Sequence, residues 1–267
     1  MERNFERYCF GKRQKSMLAV DFRRMFTAPL FYIIAGVCLV IPILILVMTT
    51  MMDGTVSVNP QTGAETIMEG FDNVWQAIAT TSDASGSVDM TLTGMCNINM
   101  VYFIIAVLVG VFVSEEFKSG YAKNLFTVRA KKSDYIISKT LVCFVSGVVM
   151  ILLFFIGTVI GGAISALPFD LGAAGVGGLV MCMLAKMLLV AVFVAIDLVI
   201  SVAAKQRTWL SILGSLGAGM LLFTMIPMLT PLDAGIMNVI LCLAGGALFA
   251  AGLGAVGHLV LRKTSLV

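Results

Sequence analysis

Few residues in this 267-residue chain could do chemistry, and their spacing narrows what that chemistry would be. There is one histidine, His258, so a histidine-rich metal centre is excluded. A membrane serine protease needs a Ser–His pair deep in the bilayer, and His258, near the end of the last apolar run, is poorly placed for it. Six cysteines, Cys9, Cys38, Cys96, Cys143, Cys182 and Cys242, show no C-x-x-C or other zinc-type spacing. No G-x-x-x-x-G-K-[ST] occurs, so the chain holds no nucleotide in a phosphate loop of its own. Glu115-Glu116 invites comparison with a membrane protease of the E-E-x-x-x-R type, but Gly120 stands where the arginine is needed. Two groups of charged residues remain. Lys186 and Asp197 lie inside one apolar run, and an ionisable residue there marks a candidate functional site. Eleven residues along a helix is about 16 Å, so these two share a face but are not a direct pair. Lys186 is expected to meet a carbonyl, hydroxyl or water. Structural polar packing and a substrate path remain alternatives for it. The second group is the mixed-charge segment from Ser114 to Lys139.

The elements that position these groups follow from composition. Hydrophobic residues make up 59% of the chain and charged residues 12%, about half the charge of a soluble domain. The same figures exclude disorder. The expected fold is an all-α polytopic membrane protein. A crossing needs about 20 apolar residues, and six such runs occur: 30–52, 95–113, 141–164, 176–202, 209–228 and 236–261. Lysine and arginine alternate across the gaps. Seven precede the first run, none lies in 53–94, and six fall between Lys118 and Lys139. Lys205 and Arg207 occupy the fourth gap and Arg262 and Lys263 the tail, while the third and fifth gaps have none. The positive-inside rule then puts both termini and the basic gaps in the cytoplasm of a multi-pass cell-membrane protein. Residues 1–28 form a cytoplasmic arm and 29–267 a single transmembrane domain.

Within the arm, Leu18, Phe22, Met25 and Phe26 fall on one face of a helix over Ser16–Phe26, with Arg23 and Arg24 turned away. This is the pattern of an interfacial helix, or of a plain basic anchor beside the membrane. Pro29 fits the first turn of the next helix, and Pro42 should kink it. In the extracytoplasmic loop 53–94, Ile67, Phe71, Val74, Trp75 and Ile78 recur at helical spacing, which predicts an amphipathic helix over Glu65–Ala79. That helix reads as a lid on the spans. Its alternative is a collar, with Trp75, around the path of an amphipathic substrate. Small residues at Gly157, Gly161 and Ser165, and at Gly246, Ala250 and Gly254, predict close helix packing within one chain or between two.

The segment from Glu116 to Lys139 carries a further pattern. Glu116 is followed four positions on by Gly120. Then come the apolar pair Leu125-Phe126, the basic Lys132, and Lys139 at the mouth of the third span. This resembles the loop of ABC-2-type permeases, the membrane subunits of many ABC exporters. Gly-x-x-Lys-Asn-Leu, ending at Leu125, looks most like small permeases linked to lantibiotic immunity and to bacteriocin or antimicrobial-peptide export. Arg129 departs from the family pattern, where proline is common. The resemblance implies a cytoplasmic coupling helix between the second and third spans. Its coupling residues would be Glu116, Gly120, Lys123, Asn124, Leu125, Phe126, Arg129, Lys132 and Lys139.

A transporter without its own nucleotide site must draw work from a partner. A short amphipathic helix can seat apolar anchors, Leu125 and Phe126, in a partner's groove, with Lys123, Arg129, Lys131 and Lys132 as a basic rim. The resemblance therefore implies a non-enzymatic permease with no cofactor or metal in this chain, ATP and Mg being held by a partner ATPase. The other expected partners are a second permease chain, membrane lipid and a peptide or amphipathic substrate, with no nucleic acid. A membrane-embedded sensor or a passive immunity protein is the alternative, and an intramembrane protease the remotest one.

Overall fold

The computed structural model describes residues 10–58, 65–67, 70–80, 96–128 and 132–263. Helix α1, Phe10–Thr27, is followed after the extended Ala28 by α2, Pro29–Met52, with Pro29 in its first turn. A short antiparallel pair comes next, β1 Val56–Val58 and β2 Glu65–Ile67, in register Val56 to Ile67. Then follow α3 Val101–Lys118, α4 Tyr121–Val128 and α5 Lys132–Ile164. The chain ends with α6 Gly175–Ala204, α7 Thr208–Phe223, the single turn α8 Ile226–Leu229, and α9 Ile236–Lys263.

Among the described residues, five helices are long and apolar enough to cross a membrane: α2, α3 with the turn before it, α5, α6 and α9. The fifth expected run is shorter than 209–228. Helix α7 has 16 residues, about 24 Å against about 30 Å of hydrocarbon. Pro227 explains where it stops. Its ring has no N–H for the carbonyl of Phe223 and would collide with it, so the helix ends there and a new turn begins at Ile226. Two other boundaries move. Helix α3 continues past Val113 to Lys118, and α5 begins nine residues before Leu141, at Lys132. Both carry charged residues into the helical bundle.

The bundle is apolar outside as well as inside. Tyr32, Ile33 and Met48 on α2, Met220 and Leu221 on α7, and Leu248 on α9 are all exposed, as expected where the solvent is hydrocarbon. Helices α2 and α5 approach each other closely. A Cβ on Gly157 would lie 2.2 Å from the carbonyl oxygen of Leu39 and 2.7 Å from Pro42, and one on Gly161 2.9 Å from Ile43. Pro42 stays inside an uninterrupted α2. Its ring occupies the surface that the missing side chain of Gly157 leaves open. The first small-residue stripe therefore packs within the chain. So does Gly246, against Ala191 and Leu188 of α6.

The predicted helix over Glu65–Ala79 is not formed. Glu65–Ile67 is a strand and Val74–Ala77 a 3-10 turn. Local side chains outbid the helix for its backbone: Asp53 accepts from Gly70 N–H at 2.9 Å and Asn73 from Trp75 N–H at 3.1 Å. Phe71, Val74, Trp75 and Ile78 are nonetheless buried. Trp75 lies between Phe155 and Phe169, at 6.2 and 5.8 Å. A backbone bond from Val74 N–H to Pro168 fastens this cover to the loop after α5.

Candidate functional site

Among the described residues the bundle has one strongly charged end, where α1, the close of α3, α4 and the start of α5 meet. Helix α3 stops at Lys118, and Gly120 makes the turn with φ of +71°. A left-handed residue just past a helix end is the geometry glycine adopts without steric cost. Gly120 falls four positions after Glu116 because the last helical turn must bury the carboxylate before the chain reverses into α4.

Glu116 is fully buried and anchors a closed ionic network. Lys139 of α5 reaches Glu116 Oε1 and, at 2.7 Å, Asp21 Oδ1 of α1. Arg24 of α1 meets Glu116 Oε1 at 2.5 Å. Tyr135 donates to Glu116 Oε2 at 2.9 Å and Ser138 to Asp21 Oδ2 at 2.6 Å. Helical spacing places each set: Tyr135, Ser138 and Lys139 share one face of α5, and Asp21, Arg24 and Met25 one face of α1. Two carboxylates against two cations leave the cluster formally neutral, which is what burial demands. Phe112 and Tyr135 offer ring faces to Lys139 at 4.6 and 5.3 Å.

Helix α4 is fastened to this network. The Arg24 guanidinium lies 3.9 Å over the Tyr121 ring, and Phe126 meets Tyr135 edge-on at 5.3 Å. Ala122 is buried, while Lys123, Asn124 and Thr127 face outward. Two expectations change here. Arg24 turns into the protein rather than away from it. Leu125 and Phe126 pack partly buried against the chain's own core, which leaves each partly exposed. Lys132 is not a free rim charge, because its ammonium donates to the carbonyl of Leu261 at 2.5 Å and caps the end of α9. Arg129 and Lys131 lie outside the described residues.

A second buried site holds Lys186, far along α6 from this end. Its ammonium donates to Asn99 Oδ1 and to Thr230 Oγ1, both at 2.9 Å. Tyr102 donates to the backbone carbonyl of Lys186 at 2.9 Å and stacks on Phe193. Asp197 is not part of this site, and Trp75 belongs to the cover between α5 and its following loop. Asp21, Tyr135, Asn99 and Thr230 were not singled out from sequence. Asp21 had a signal, being an acid inside the apolar stripe of Leu18, Phe22 and Met25. Asn99 and Thr230 had none, since only the fold brings them to Lys186.

A family model described as "ABC-2 family transporter protein" matches residues 23–221, well over half of the chain. No curated protein and no solved structure matches it.

Proposed function

The chain belongs to the ABC-2 family of transporter proteins, and from that premise we propose that it is the permease of an exporter driven by a separate ATPase. As a transmembrane component of an ABC transporter it works with an ABC ATPase, and in this reading that partner hydrolyses the ATP. The finer reading rests on α4. This eight-residue amphipathic helix presents Lys123, Asn124 and Thr127 outward and is held from behind by the Asp21–Lys139–Glu116–Arg24 network. A push on α4 would pass through Tyr121 to Arg24 and through Phe126 to Tyr135. It would thus move α1 and α5 together, the second of these being the helix packed along α2.

In this reading the charged end faces the cytoplasm with both termini, following the positive-inside rule. Helix α1 lies along the cytoplasmic interface, where anionic lipid meets its cations. Helices α7 and α8 together complete a sixth crossing. Two permease chains, alike or related, would assemble with two ATPase chains carrying ATP and Mg. The cargo would be an amphipathic peptide of the antimicrobial or lantibiotic kind, with Lys186 beside its path. Co-expression with a neighbouring P-loop ATPase tests this. The two should co-purify, and a Lys123→Glu/Thr127→Glu variant should insert normally but lose the partner. A permease that never retains an ATPase would instead support a sensor or a passive immunity protein.

A further inference from the structure

Helices α6 and α7 run antiparallel and meet closely, Gly214 leaving room for Ile200. Their contact carries a ladder of oxygen-bearing side chains. Ser201 and Ser211 face each other with Oγ atoms 2.6 Å apart. One turn further from the charged end, the same registration sets Asp197 opposite Ser215, each 1% exposed. One turn nearer that end lie Thr208 on α7 and Ser114 on α3. The third helix is adjacent because a Cβ on Gly110, one turn before Ser114, would touch Ser211 Oγ at 3.1 Å.

Half of this ladder is unsatisfied. Asp197 Oδ2, Ser114 Oγ and Thr208 Oγ1 are buried without a hydrogen-bond partner among the described residues, and Ser215 is the side chain that faces the Asp197 carboxyl within hydrogen-bonding reach. Buried polar oxygens are normally paired, and a string of unpaired ones has the spacing that water bridges. Successive turns are about 6 Å apart, roughly two hydrogen-bond lengths, so one water spans each step. Beyond Asp197 the ladder stops. The next turn of α7 is Gly219, against which the rings of Phe103 and Phe193 pack. The polar file thus runs toward the charged end and is closed by aromatic rings on the other side.

We propose that this file is a water-filled inlet from the charged end and that Asp197 at its blind end is a proton-binding site. The carboxylate has no basic partner among the described residues, so a proton delivered along the water is the counter-charge that electroneutrality in an apolar bundle requires. The proton moves from water to a carboxylate oxygen and returns by the same route. The titratable group facing Asp197 from a neighbouring helix is Cys143 on α5, while α3 and α7 present serines. Lys186 is eleven residues away on the far side of the ring layer. The inlet is independent of which substrate the permease moves.

The test uses the whole protein in sealed vesicles of both orientations. Dicyclohexylcarbodiimide, which enters through lipid and attacks a protonated carboxyl, should form an adduct at Asp197 of the wild type. Peptide mass spectrometry should show that adduct decreasing as the pH rises on the charged side, and absent from Asp197→Asn. Silver ion, a water-sized thiol probe that does not cross lipid, should block Ser215→Cys from the same side that blocks Lys123→Cys. Leu213→Cys, which faces lipid, should stay free. If Ser215→Cys does not fold, Ser211→Cys replaces it, and the carbodiimide arm needs no variant. No adduct at Asp197, or an adduct indifferent to pH, overturns the proposal. So does a ladder cysteine that silver cannot reach, or reaches only from the opposite side; either result makes the ladder dry packing.

Discussion

Replacing Lys139 by Met is the sharpest perturbation of the charged end. The side chain keeps its length and apolar stem but loses the ammonium that bridges Asp21 and Glu116. Removing one partner of a buried ion pair costs about 3–5 kcal/mol, because a charge is left without compensation. Here the loss is uneven. Among the described residues, Glu116 keeps Arg24 and the Tyr135 hydroxyl, whereas Asp21 keeps only the Ser138 hydroxyl. Asp21 therefore bears most of the penalty, and the expected cost is about 3 kcal/mol, roughly a hundredfold in the unfolding equilibrium. Because Asp21 ties α1 to α5, the amides of α1 should lose exchange protection before those of α2. Adding Asp21→Asn to the Lys139→Met variant removes the orphaned charge and should recover more than half of the loss. The assays are reversible denaturant unfolding in detergent micelles and hydrogen exchange of the residues in Phe10–Thr27. A Lys139→Met protein as stable as the wild type, or one that Asp21→Asn fails to rescue, would refute the reasoning.

Gly157→Ala should force α2 and α5 apart, since its new methyl would collide with the Leu39 carbonyl and Pro42. The overpacking cost is about 1–3 kcal/mol, read as a lower unfolding midpoint. Gly254→Ala, whose methyl would meet only Ile136 at 3.8 Å, should leave that midpoint unchanged. Lys186→Met orphans Asn99 Oδ1, at about 1–3 kcal/mol, but also removes a buried charge. Assembly should survive, seen as an unchanged monodisperse elution peak, while export falls at least tenfold. Full export in that variant would show that Lys186 only packs.

The helices were legible because their signals are local. Apolar run length marks α2, α3, α5, α6 and α9, and the Glu116–Gly120 spacing marks the turn into α4. Boundaries were less so where one residue outweighs a run: Pro227 ends α7 early, and Asn73 and Asp53 hold the backbone of residues 70–75 out of a helix. The candidate site was half legible. Glu116 and Lys139 stood out by type and place, but their partner Asp21 is 118 residues from Lys139, and no local pattern reports such a pairing. Leu125 and Phe126 looked like external anchors because a short amphipathic helix shows its apolar face in sequence without showing what covers it. Here the chain's own core covers part of it.

In the proposed function a separate ATPase drives this permease through α4. Site-specific photo-crosslinking in living cells from position 123, an outward side chain of that helix, tests this. An adduct with a P-loop ATPase is expected from position 123 and none from position 213, which is exposed on α7. Export that proceeds while position 123 captures no ATPase would show that α4 does not carry the drive.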